Sequence, residues 1–128
     1  PLTDGAGAAF LMKWDGAAWS TQASGTTQTL NGLWGVAANS IWAVGNNGII
    51  VRWNGTAWAA QSAGSLQSNY GVWGLDANNV WAVGDYGTVL KWNGSRWAAQ
   101  ESGTTESLAA VWGADASNVW AVGRSGSS

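Results

Sequence analysis

Seven carboxylates, Asp4, Asp15, Asp76, Asp85, Glu101, Glu106 and Asp115, are the side chains of this 128-residue chain best suited to acid–base work, because it has neither His nor Cys. Glycoside hydrolysis needs two such groups facing each other across the scissile bond. Here most of them fall at turn positions, where a carboxylate accepts hydrogen bonds from nearby backbone amides. No hydroxyl or amine stands beside a base that would make it a nucleophile. Asp76 with Asn78, or Asp85 in its turn, lacks the spaced acids and distal Glu of a calcium loop. No catalytic residue, metal or cofactor is expected, and the chain reads as a non-enzyme.

Binding chemistry is better represented. Twelve Trp offer flat apolar faces of the kind that stack on sugar rings. All twelve fall on one lattice with a spacing of 39 residues. Trp34, Trp73 and Trp112 form one set, and Trp42, Trp81 and Trp120 a second. Trp14, Trp53 and Trp92 form the third, and Trp19, Trp58 and Trp97 the fourth. A lattice that regular is what packing between repeated units produces. Trp34, Trp42, Trp73, Trp81, Trp112 and Trp120 are therefore expected in the core. Trp19, Trp58 and Trp97, on an outer strand, are expected to be partly exposed and are the candidate sugar platforms. Tyr70, Tyr86 and Arg96 break the repeat and join them as candidate ligand-binding residues. Lys13, Arg52 and Lys91 share one repeat position just before a Trp. They are read as stems lying over a neighbouring ring, held by cation–π attraction.

Charged residues make up only 9% of the chain, and the net charge is −2. Five Lys and Arg scattered along the sequence form no basic stripe, which excludes nucleic acid as a partner. No apolar run is long enough for a membrane-spanning helix. Pro1 to Gly5 has neither the basic nor the apolar part of a signal peptide, so no compartment is read from it.

The elements that must position these residues follow from the repeat. Residues 30–68 and 69–107 are two complete units. A third is split between 108–126 and 10–29, with 1–9 as an extension and 127–128 as a tail. In each unit four short strands are expected: Leu33–Val36, Ile41–Val44, Ile49–Trp53 and Trp58–Gln61 in the first. Turns follow at Ala38-Asn39-Ser40, matched by turns opening on Asp76 and Asp115, and at Gly45-Asn46-Asn47-Gly48, matched at Gly84–Gly87 and Gly123–Gly126. Asn54-Gly55, Asn93-Gly94 and Asp15-Gly16 predict type I′ hairpins, with φ > 0 at both residues. That geometry also accounts for the two glycosylation-like triplets, Asn54-Gly55-Thr56 and Asn93-Gly94-Ser95, without a glycan.

Four antiparallel strands in about 40 residues, repeated without helices, predict an all-β chain of three four-stranded β-propeller blades. The alternative is a β-trefoil. Phe10–Trp14 is expected to pair beside Val119–Val122 and so join the split blade, either within one chain or between neighbouring chains. The motif Leu-x-x-Val-Trp-Gly-x-x-Ala-x-Asn-Val-Trp-Ala-Val-Gly-x-x-Gly-x-x-x-x-Trp-Asn-Gly-x-x-Trp resembles the tryptophan-rich bacterial β-propeller repeats, distant relatives of WD-repeat blades. The resemblance spans residues 10–126. It implies a propeller fold and a history of duplication, and no one ligand. Without His, the His-centred network of true WD blades has no counterpart here.

Three blades make an open arc with apolar end faces. At about 25 cal/mol per Å², leaving such faces wet costs many kcal/mol, and symmetric association removes that cost. A homodimer with six blades is the expected partner arrangement, and a homotrimer with nine is the alternative. The expected function is a ring-forming scaffold or binding platform, a piece or engineered product of a larger amplified array. Carbohydrate binding through exposed Trp or Tyr is the alternative.

Overall fold

The computed structural model describes residues 10–124, and the chain there is all-β, built from four separate antiparallel sheets. The expected extension 1–9, the tail 127–128 and the last part of the Gly123–Gly126 turn lie outside the described residues. Strands β1 (Phe10–Trp14) and β2 (Trp19–Ala23) form a two-stranded sheet. Strands β3 (Leu30–Ala37), β4 (Ser40–Gly45), β5 (Ile50–Trp53) and β6 (Trp58–Gln61) form a four-stranded sheet in sequence order. Its repeat is β7 (Asn69–Asp76), β8 (Asn79–Gly84), β9 (Val89–Trp92) and β10 (Trp97–Gln100). Strands β11 (Ser107–Asp115) and β12 (Asn118–Arg124) form the last, two-stranded sheet. Each sheet has two free edges among the described residues, so no barrel closes of the kind a trefoil requires.

The first strand of each unit is longer than its apolar pattern suggests. It runs back to Leu30, Asn69 and Ser107, because register shifts such as that between Leu30 and Gly32 let polar residues join the ladder. The second strands read as expected, apolar on both faces and buried in Trp42–Val44 and Val80–Val83.

The Asn-Gly loops need correcting. Only the glycine is left-handed, with φ of 101° at Gly55 and 102° at Gly94, while Asn54 and Asn93 are not. A type I′ turn is therefore absent. Trp53 pairs with Trp58 across a four-residue loop, and the Asn54 side chain holds it by accepting from the amides of Thr56 and Ala57 at 2.8 and 3.0 Å. Asn93 and Asp15 do the same. The side chain has replaced the turn backbone as the acceptor, a role open to Asn and Asp alike. Among the described residues, those that do adopt positive φ outside glycine are Asn47 and Tyr86, at 57° and 58°, each in a short 3-10 turn after the second strand.

Neighbouring sheets interlock through the Trp-Gly pair. The Trp34 indole Nε1–H donates to the Gly74 carbonyl at 2.9 Å, and the ring lies against the space a Gly74 side chain would fill. The Trp73 ring packs on Gly113 likewise, since a Cβ there would sit 2.7 Å from the ring. Deeper in, Trp42 of β4 meets Trp92 at 5.0 Å and Trp97 at 5.4 Å from the next sheet. The core is this aromatic junction, filled out by Val44, Ile50, Val72, Val80 and Leu90. At the other flank, Leu11 and Met12 of β1 line a cavity of about 210 Å³ together with Ile41, Trp53 and Trp58. The sheets thus follow one another in chain order.

One expected pairing does not form inside the chain. β1 is paired with β2 and β12 with β11, and the two complete sheets stand between them.

Candidate functional site

Because strands alternate in direction, each sheet has two loop-bearing ends. In the sheet β7–β10, the turn Asp85–Gly87 and the link after Gln100 lie at one end. The turn after Asp76 and the loop around Arg96 lie at the other. The candidates singled out in the sequence therefore divide. Tyr70 and Tyr86 share one end. Arg96 and the starts of β2, β6 and β10, which carry Trp19, Trp58 and Trp97, take the opposite one.

At the first end Asp85 is the hub. The Tyr70 hydroxyl donates to its Oδ2 at 3.1 Å, and the Ser107 hydroxyl to its Oδ1 at 3.0 Å. Partial burial, then this bond to the carboxylate, raise the Tyr70 pKa above its ordinary value. The Asp85 amide donates to the Ser68 carbonyl, a close approach that a side chain at Gly84 would block, since its Cβ would lie 1.9 Å from that oxygen. The Asp85 cluster was not legible in the sequence, where Asp85 reads only as a turn residue. Beside it, Tyr86 is 71% exposed and forms one wall of an open cleft of about 750 Å³ with Gly87, Gln100, Ser102 and Thr104. A counterpart of about 570 Å³ in the preceding sheet has Asn47 in place of the Tyr.

At the opposite end, Arg96 is exposed, and its amide donates to Asn93. The outer-strand Trp residues differ from one another. Trp19 is 62% exposed and tilted against Trp14, Trp58 is half-buried, and Trp97 is buried edge-on to Trp42. The expectation of partial exposure fails for Trp97, because the preceding sheet covers it. Trp112 and Trp120, also expected in the core, are 61% and 70% exposed in the single chain, where no sheet follows theirs among the described residues. Trp42, Trp73 and Trp81 are buried and Trp34 is half-buried against them.

Two of the three residues at the shared cation position, Arg52 and Lys91, stack as expected, each over the Trp paired with it on the adjacent strand. The Arg52 guanidinium lies 4.6 Å from the centre of the Trp42 ring, and the Lys91 ammonium 5.1 Å from that of Trp81. Each head is also held by a polar group opposite it: Arg52 Nη2 donates to Ser40 Oγ at 3.3 Å, and Lys91 Nζ to Asn79 Oδ1 at 3.0 Å. These cations are committed to packing and do not form an open anion site.

Asn69 is the residue that sequence reading passed over. It is fully buried, and neither amide atom of its side chain has a hydrogen-bond partner among the described residues. Leu30 and Leu108 occupy its place in the other units, a substitution visible in the sequence once the units are aligned. Among the described residues no three acids, His or Cys gather as a metal site would need. No helix among the described residues is long and apolar enough to cross a membrane. No family model and no curated protein matches the chain.

Proposed function

We propose that the chain is a non-enzymatic β-propeller segment whose four-stranded sheets are blades, and that it associates with itself into a closed ring serving as a scaffold or binding platform. The tryptophan-rich propeller repeats that the sequence resembles fit this reading. The observation that carries it is the burial of the Trp lattice. Rings at equivalent positions are buried where a neighbouring sheet is present and wet where one is missing. Trp81 is buried and Trp120 exposed, and Trp97 is buried and Trp19 exposed. Each large ring left in water forgoes burial of roughly 150–250 Å², so a second copy that covers both ends gains many kcal/mol. Two copies give six blades, inside the usual propeller range; three give nine. Light scattering after size exclusion tests this: two or three times 13.2 kDa is expected, and a clean monomer overturns it.

A second reading, carbohydrate binding, is supported by Tyr86, an exposed ring on the wall of a polar cleft. Titration of simple sugars should then change the intrinsic fluorescence saturably, and the change should vanish in Tyr86→Ala. A flat titration across a glycan panel leaves the scaffold reading alone.

A further inference from the structure

We infer that, in the 128-residue chain, β12 of one copy pairs antiparallel with β1 of a second copy in a defined register, so that each split blade is assembled from two chains. This rests on the ring reading above and specifies its interface. The register comes from the complete sheets. In both, the second and third strands pair as Trp42↔Arg52 and Ala43↔Val51, and as Trp81↔Lys91 and Ala82↔Leu90. Carried along the repeat, the same ladder sets Trp120 opposite Lys13, Ala121 opposite Met12, and Val122 opposite Leu11.

Side chains of the half-sheets and of the neighbouring complete sheet are complementary on that arrangement. Lys13 falls on the cation position, so its ammonium would lie over Trp120 as Lys91 lies over Trp81. Asn118 already donates its Nδ2–H to Asp115, as Asn79 does to Asp76, which leaves its Oδ1 to accept from Lys13 as Asn79 Oδ1 accepts from Lys91. Gly35 matches Gly74, the glycine against which Trp34 sits, yet among the described residues a Cβ at Gly35 would meet only its own neighbourhood, Ile41 and Ala37. Its seat is free for Trp112 of the second copy. By the same translation, Trp120 would pack on Trp53 and Trp58 as Trp42 packs on Trp92 and Trp97.

The second copy is favoured over closure within one chain because two complete sheets separate β1 from β12. Free ladder edges with matching apolar faces are also what strand addition between chains uses.

The test exploits the absence of native Cys. Directly opposed residues have Cβ atoms about 4.5–5.5 Å apart, near enough for a disulfide with small adjustment. Met12 and Ala121 are both exposed, so Met12→Cys/Ala121→Cys should fold. Oxidised, it should run as a covalent multimer on a non-reducing gel. The off-register control Met12→Cys/Val122→Cys should not, because successive residues point to opposite faces. Leu11→Cys/Val122→Cys reports the same register from the other face if the first variant does not fold. A disulfide confined to single chains, or none in either matched pair, overturns the exchange while the ring stands or falls on the light-scattering mass. A monomer by light scattering removes both.

Discussion

Trp34 donates its indole N–H to the carbonyl of Gly74 at 2.9 Å, across the boundary between two sheets. One residue type supplies the knob and its chain neighbour, repeated in the next unit, supplies the hole. Replacing Trp34 with Phe keeps much of the ring but removes the donor. A loss of about 1–3 kcal/mol in denaturant unfolding is expected, part of it from the Gly74 carbonyl left unpaired.

Trp42 and Trp120 occupy the same repeat position in different surroundings. Trp42→Ala should cost roughly 3–5 kcal/mol, because the ring is fully buried against Trp92 and Trp97. Trp120→Ala should instead act on association, moving the light-scattering mass toward 13.2 kDa with the secondary structure retained by circular dichroism. Equal losses of stability with unchanged mass would show that position in the array is irrelevant.

Asn69→Leu should stabilise the fold by about 1–3 kcal/mol. The substitution removes a buried amide without partners and installs the residue that the other two units already carry there. Chemical denaturation measures it directly, and a destabilised variant would mean that the amide has a partner in solution.

Acid should weaken the loops that Asp15, Asp76 and Asp115 hold. The Asp15 pKa is lowered by the Ala18 and Ala17 amides, those of Asp76 and Asp115 by the side chains of Asn79 and Asn118 and by backbone amides. A lowered folded-state pKa means stability that is present above the ordinary value of 3.8 and is lost as pH falls through the folded value. The unfolding midpoint should hold at neutral pH and fall below about pH 4. Asp15→Asn should keep the neutral-pH midpoint, since Asn54 and Asn93 hold the same loop, and should lessen the acid loss.

Tyr86 holds φ of 58°, a conformation that Asn47 shares at the equivalent place. Tyr86→Asn should stabilise by about 0.5–1 kcal/mol, because Asn tolerates this region better than an aromatic residue. If Tyr86 is a sugar platform, the same variant loses the fluorescence response to sugar, so stability and binding move in opposite directions.

The amino-acid sequence by itself determined the unit, its strands and their order. A spacing of 39 residues, alternating apolar runs and glycine-marked turns act locally, through backbone geometry and register, and need no distant partner to be read. The repeated cation beside a Trp also pointed to stacking, while the ring that each cation covers, on the adjacent strand, is set by the cross-strand register. The tertiary structure decided which copies of each Trp are buried, since burial depends on the sheet next door, and repeat position says nothing of that neighbour. It also decided that Asn54 closes its loop with its side chain, that Asn69 lies in the core, and that Tyr70 and Ser107 meet at Asp85. Each of these depends on atoms that approach only after the sheets have packed.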